Sequence, residues 1–90
     1  MIRSFRDKAL RHFFESGNAR GLSVQNAARV ARILRALDDA ARPEIMNLPG
    51  YYFHALHGAR RWSVRVTGNW RITFGWDGVD AIDVDLEDYH

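Results

Sequence analysis

The chain changes its hydrophobic rhythm close to residue 50. Before that point apolar residues recur every three or four positions. Ser4-Phe5-Arg6-Asp7 resembles a capping box, and Leu10, Phe13 and Phe14 follow it at helical spacing. Gly17-Asn18 is a stop signal, so the spacing predicts a first helix that ends there. Ile2 is assigned to a short strand ahead of it. Ser23 reads as the cap of a second helix, with Ala27, Val30, Leu34, Leu37 and Ala41 as its apolar stripe. Arg29, Arg32 and Asp39 fall mainly on the other side, and Pro43 marks the end, because proline disfavours helix in the residue before it. Two short amphipathic helices with a brief loop between them make a helical hairpin.

After Leu48-Pro49-Gly50 the period becomes two. Trp62, Val64 and Val66 alternate with Ser63, Arg65 and Thr67. Trp70, Ile72, Phe74 and Trp76 alternate with Arg71, Thr73 and Gly75, and Ile82, Val84 and Leu86 with Asp83, Asp85 and Glu87. Each run reads as a strand with one apolar face. Thr67-Gly68-Asn69 and Asp77-Gly78-Val79 are the connecting turns. Residues 51–57 form a further strand, with apolar residues at both sets of alternating positions. The whole is an α+β fold in one domain over residues 1–90: a short N-terminal strand, a two-helix hairpin, then an antiparallel sheet.

Parity sets the register. Directly opposed residues in an antiparallel pair share a face, and the apolar positions of 62–66 and 70–76 are all even. Opposed numbers must therefore sum to an even number. A three-residue loop at Thr67-Gly68-Asn69 sets Val66 against Trp70, Val64 against Ile72 and Trp62 against Phe74. The same register sets Arg65 against Arg71 on the polar face, where like charges are unfavourable. A three-residue loop at 77–79 would set Arg71 against Asp85. Two readings stay open: a surface lattice of arginine and aspartate, or an anion site that holds the arginines together.

Composition bears on both readings, since a solvated charged surface with an arginine bias would give the same balance. Residues 1–76 hold thirteen basic and five acidic side chains, a balance of +8, whereas residues 77–90 hold six acidic side chains and no Lys or Arg. Twelve of the thirteen basic residues are Arg, whose planar fork suits phosphate, so the balance leans toward nucleic acid. The absence of cysteine excludes a disulfide scaffold and a cysteine-ligated zinc site. No apolar run approaches the roughly 18 residues of a membrane span, and the charged N-terminus lacks a signal core. A cytoplasmic protein without a membrane partner is expected.

The chemistry available is that of His, Tyr, Arg and carboxylates, since no P-loop, dinucleotide fingerprint or HExxH motif occurs. His54 and His57 would point to opposite faces of a strand, which is poor for chelation. The run Asp83, Asp85, Glu87, Asp88 admits a magnesium-nuclease reading, but strand alternation accounts for it as a polar face. No metal or other cofactor is expected. By odd parity Tyr89 would lie beside Arg65 and Arg71, and a bulge near Asp88 would bring His90 there too. Imidazole and phenol as acid and base, with arginines on the phosphate, suit metal-free RNA cleavage by the ribose 2′-OH. Arg29, Arg32 and Arg35 on the second helix are candidate contacts to nucleic acid, which the resemblance described next would make ribosomal RNA.

Asn47-Leu48-Pro49-Gly50-Tyr51, Gly68-Asn69-Trp70-Arg71-Ile72-Thr73-Phe74, Asp83-Val84-Asp85 and Glu87-Asp88-Tyr89-His90 are long, low-degeneracy strings. With the order of elements, they resemble the RelE/ParE toxin superfamily, and within it the HigB-type killer toxins of plasmid-maintenance systems. The resemblance runs nearly end to end. It implies a ribosome-dependent mRNA endonuclease acting in the aminoacyl site of the 70S ribosome. It also implies a cognate helix-turn-helix antitoxin, HigA-like, through which operator DNA is bound indirectly. His54, Asp88, Tyr89 and His90 carry over as the catalytic set, with either His54 or His90 as base and Tyr89 as acid or base. Arg65 and Arg71 carry over as phosphate contacts. The chain departs from the family at His57, where Lys is common, and an imidazole is only partly cationic near neutral pH. Arg60 or Arg61, in a loop shorter than usual, is expected to supply that charge. A non-catalytic gyrase inhibitor of the ParE branch and an inactive antitoxin-binding module are the alternatives.

Overall fold

The computed structural model describes residues 1–88. Its elements are α1 (Lys8–Ser16), α2 (Ala27–Asp39), a 3-10 turn (Pro43–Met46), and the strands β1 (His54–Ala55), β2 (Arg61–Arg65), β3 (Trp70–Asp77) and β4 (Asp80–Asp88). The strands form one antiparallel sheet in sequence order, β1-β2-β3-β4.

Both helices form where predicted but are capped by other residues. Asp7, the fourth residue of the predicted box and not Ser4, caps α1 by accepting from the Leu10 N–H at 2.9 Å. The Ser4 hydroxyl instead receives the Asp83 N–H at 2.8 Å. Gly17 closes α1 in the left-handed conformation and donates to the Phe13 carbonyl at 2.8 Å. Asn26, not Ser23, caps α2 through the Arg29 N–H at 3.2 Å. The buried stripe of α2 is Val30, Ile33, Leu34 and Leu37, and Ala40 is buried where Ala41 was expected.

The N-terminal residues make two isolated parallel bridges to β4 in place of a continuous strand, Ile2 to Ala81 and Phe5 to Val84. The cause lies in β4. Its hairpin with β3 turns on two residues, Gly78 and Val79, with Asp77 opposite Asp80, so opposed numbers start with an odd sum. Asp83, at φ +50°, forms a bulge that restores even parity beyond it. Ala81 therefore faces the core, and Ile82 lies opposite Gly75 on the other face, contrary to the simple alternation of 82, 84 and 86. The bulge interrupts the edge between the two bridges.

The register of β2 on β3 is the predicted one, with Trp62 opposite Phe74, Val64 opposite Ile72 and Arg65 opposite Arg71. The expected pairing of Arg71 with Asp85 is not formed. The two-residue turn and the bulge move β4 by two positions, so Glu87 opposes Arg71 and Asp85 opposes Thr73. Of the expected strand over 51–57, only His54 and Ala55 pair with β2. The even-numbered face carries Val64, Val66, Ile72, Phe74, Val84 and Leu86 into one core with Leu10, Phe13 and the α2 stripe. The odd-numbered face is left for chemistry.

Candidate active site

Four strands place His54, Ser63, Thr73 and Asp85 in one row across the odd-numbered face. The adjacent row is Arg65, Arg71 and Glu87. At the β1 end of these rows, Tyr52, Phe53, His54, Ser63, Arg65 and Arg71 line a concave pocket of about 310 Å³. A second depression of about 110 Å³ shares Ser63 and Arg71 with it and is closed by Leu56, Thr73, Glu87 and Asp88. His54 and Asp88 thus stand on neighbouring hollows joined by Arg71.

His54 is held by its hydrogen bonds. Its Nδ1 lies 3.0 Å from the Tyr52 carbonyl, which can only accept, so Nδ1 carries the hydrogen. In the neutral ring that leaves Nε2 as the acceptor, and Nε2 faces Arg71 Nη1 at 3.4 Å. Arg65 lies with its Cζ 4.3 Å from the centre of the Tyr52 ring. Its Nε and the hydroxyl of Ser63, which is 1% exposed, have no hydrogen-bond partner among the described residues. The pocket wall thus contains two buried donors that the described residues leave unsatisfied.

The acidic neighbours are organised by Thr73. Its hydroxyl donates to the Glu87 carboxylate and receives Arg61 Nη2 at 3.0 Å. Arg61 also donates to the Asp83 carbonyl at 2.9 Å and so ties down the bulge. Burial, then the nearby Arg6, lowers its pKa against the opposing pull of Glu87, Asp83 and Asp85. Burial raises the pKa of the Asp85 carboxyl, and the Glu87 and Asp7 charges add to this. The Leu86 N–H and Arg6 pull it down. Among the described residues no group of three or more His, Asp or Glu side chains is placed to hold a metal ion.

The other residues singled out in the sequence are dispersed. His57 and Arg60 are exposed in the turn between β1 and β2, outside the lining of either hollow. Arg61 spends its fork on Thr73 and the bulge, as described. Arg29 is half-buried. It donates to the Gly50 carbonyl at 2.7 Å and to the Arg65 carbonyl at 3.0 and 3.3 Å, and lies 5.1 Å from the Tyr51 ring centre. It staples α2 to the segment before β1 and to the end of β2. Arg32 and Arg35 are exposed, and Arg35 lines a separate groove with Phe13, Phe14 and Leu34. Tyr89 and His90 lie outside the described residues. Tyr52 and Ser63 were missed by sequence reasoning. Only the alternation around Ser63, which set it beside Arg65, carried a hint.

The domain is of the α+β class, and it gathers one imidazole, two guanidiniums and a buried hydroxyl on one face of its sheet. Comparison with known proteins makes the class specific. The chain belongs to the HigB-like toxins, whose family is described as the RelE-like toxin of type II toxin-antitoxin system HigB, and it matches that family over residues 3–90. It is 40% identical over 92 residues to a protein named Endoribonuclease HigB from Proteus vulgaris, with 100% of each chain covered. Membership in a toxin–antitoxin family implies an antitoxin partner. Among the described residues no helix is long and apolar enough to cross a membrane.

Proposed function

We propose that residues 1–90 form one toxin domain acting in the cytoplasm as a metal-independent, ribosome-dependent mRNA endonuclease. The observation that carries this is the convergence of His54, Arg65 and Arg71 on one pocket, in a chain whose 40% identical relative is named an endoribonuclease. Arg65 and Arg71 hold the scissile phosphate. Once the phosphate engages Arg71, His54 Nε2 is released to take the proton of the ribose 2′-OH. The 2′ oxygen attacks the 3′ phosphorus, the bond to the 5′ oxygen breaks, and that oxygen leaves with a proton from the Asp88-Tyr89-His90 segment. The products are a 2′,3′-cyclic phosphate and a 5′ hydroxyl. The arginines stabilise the charge that builds on phosphorus. The ribosome positions the message, since a chain of 90 residues has little surface left for a groove of its own. A helix-turn-helix antitoxin of the HigA kind silences the toxin and carries it to operator DNA.

Primer extension on a defined mRNA, free and programmed on ribosomes, tests the reading. Cuts on the ribosome that disappear in His54→Ala, in Arg71→Ala and in a variant lacking residues 88–90 support it. Undiminished cutting by His54→Ala and by the truncated variant refutes the assignment. Absence of ribosomal cuts with the wild type turns the reading to gyrase inhibition or an inactive antitoxin-binding module, and EDTA-sensitive cutting of free RNA to a metal nuclease.

A further inference from the structure

The Tyr52 side chain has no part in the chemistry just described, yet the backbone that carries it is held in an unusual conformation beside the pocket. Its φ is +50°, in the left-handed region that an aromatic residue seldom adopts and that persists only where the surroundings enforce it. Two contacts do so. Its carbonyl receives His54 Nδ1 at 3.0 Å, and its ring has the Arg65 guanidinium 4.3 Å from its centre. The neighbouring Tyr51 carbonyl is anchored on the Arg65 N–H at 2.8 Å. The residue is nevertheless 63% exposed. A large ring is thus pinned on a cation beside an anion pocket and presented to solvent.

We propose that the Tyr52 ring is a stacking platform for an unpaired nucleobase next to the phosphate held by Arg65 and Arg71. The inference rests on the endoribonuclease reading and deepens it. Stacking on an aromatic face accepts any base, and a guanidinium under the ring stiffens the platform without competing for hydrogen bonds. Arg65 ties the two subsites together, because it both lies against the ring and lines the phosphate pocket. A base on Tyr52 and a phosphate on Arg65 therefore belong to the same or the adjoining nucleotide. Stacking there draws the base away from its neighbours and fixes the sugar whose 2′-OH must line up with phosphorus.

The test uses ribosomes programmed with a defined mRNA, intact or carrying a single abasic residue on either side of the cut, and reads kcat/KM from single-turnover cleavage. One abasic position is expected to slow the wild type roughly ten- to a hundred-fold. Tyr52→Asn keeps the carbonyl for His54 and tolerates a positive φ. It should lose the same factor on intact mRNA and nothing further on the abasic one. Tyr52→Phe should restore both values. Wild-type indifference to both abasic positions overturns the proposal, as does an equal further loss in Tyr52→Asn or full activity of that variant on intact mRNA. If the wild type cuts neither message, the endoribonuclease reading fails and the platform falls with it. If it cuts both equally, only the platform falls.

Discussion

Arg65→Thr separates the stability of this protein from its function. Arg65 faces Arg71 directly across β2 and β3. Like charges so placed cost about 0.2–1 kcal/mol, and removing one returns that amount. The substitution gives up the contact between the guanidinium and the exposed Tyr52 ring, about 0.5–1 kcal/mol for such a site. The Arg65 carbonyl that receives Arg29 belongs to the backbone and stays. The terms oppose each other, so the urea midpoint should move by no more than about 0.5 kcal/mol equivalent. Function has no such compensation. A hydrogen bond from a charged donor is worth about 1.5–3 kcal/mol, so loss of the phosphate contact should slow cleavage roughly ten- to 150-fold. Salt supplies a second readout. The Debye length falls from about 10 Å at 0.1 M to about 3 Å at 1 M, so the wild type should gain more stability from salt than the variant. A loss of more than about 2 kcal/mol on unfolding would make Arg65 a structural residue. Cleavage within threefold of wild type would remove it from the phosphate site.

Other perturbations reach other parts of the molecule. Arg29→Ala should destabilise by about 2–3 kcal/mol in urea titrations, since three charged hydrogen bonds to two carbonyls are lost. Arg32→Ala and Arg35→Ala should stay within about 0.5 kcal/mol of wild type and flatten the salt dependence of ribosome binding. Ser63→Ala should slow cleavage by about fivefold, the worth of one neutral hydrogen bond, with the urea midpoint nearly unchanged. Asp85 has a folded pKa raised above the ordinary 3.8, mainly by burial. Its stabilising contribution is complete below that ordinary value and is lost as pH rises through the raised one. Asp85→Asn should therefore be more stable than wild type at pH 7, with the advantage shrinking toward about pH 3.5. A constant advantage across that range would refute the assignment.

What the sequence disclosed follows from where periodicity is the governing signal. The even-numbered apolar positions of β2 and β3, with the three-residue loop at 67–69, set Arg65 against Arg71, because one buried face permits no slip by a single residue. The same rule went astray at β4, where a two-residue turn and a bulge at Asp83 each change parity and together restore it. No residue type announces an aspartate at positive φ. The capping residues Asp7 and Asn26 lay three residues from the expected Ser4 and Ser23, within runs rich in capping side chains. Arg29 read as a solvent-facing cation, since helical periodicity sees the polar side of α2 and not the carbonyls of Gly50 and Arg65 that approach it. Tyr52 was invisible for a related reason. Its position depends on a crossing of the chain over Arg65, and neither alternation nor charge in residues 51–57 encodes that crossing.

The division of the sheet explains how so short a chain keeps a strained site. Every large apolar side chain of β2, β3 and β4 that is fully buried points to the helices, and that face supplies the cooperative core. The other face holds what a core would not tolerate: two opposed guanidiniums, a buried hydroxyl without a partner among the described residues, and an acid whose charged form burial disfavours. These defects lie on the same strands as Val64, Ile72, Phe74 and Val84, one residue out of phase, so the core that stabilises the strands also fixes the spacing of the site. A change in the core should then disturb cleavage through position. A change on the odd-numbered face should alter cleavage while leaving the fold nearly as stable, because what it removes there is repulsion as well as contact.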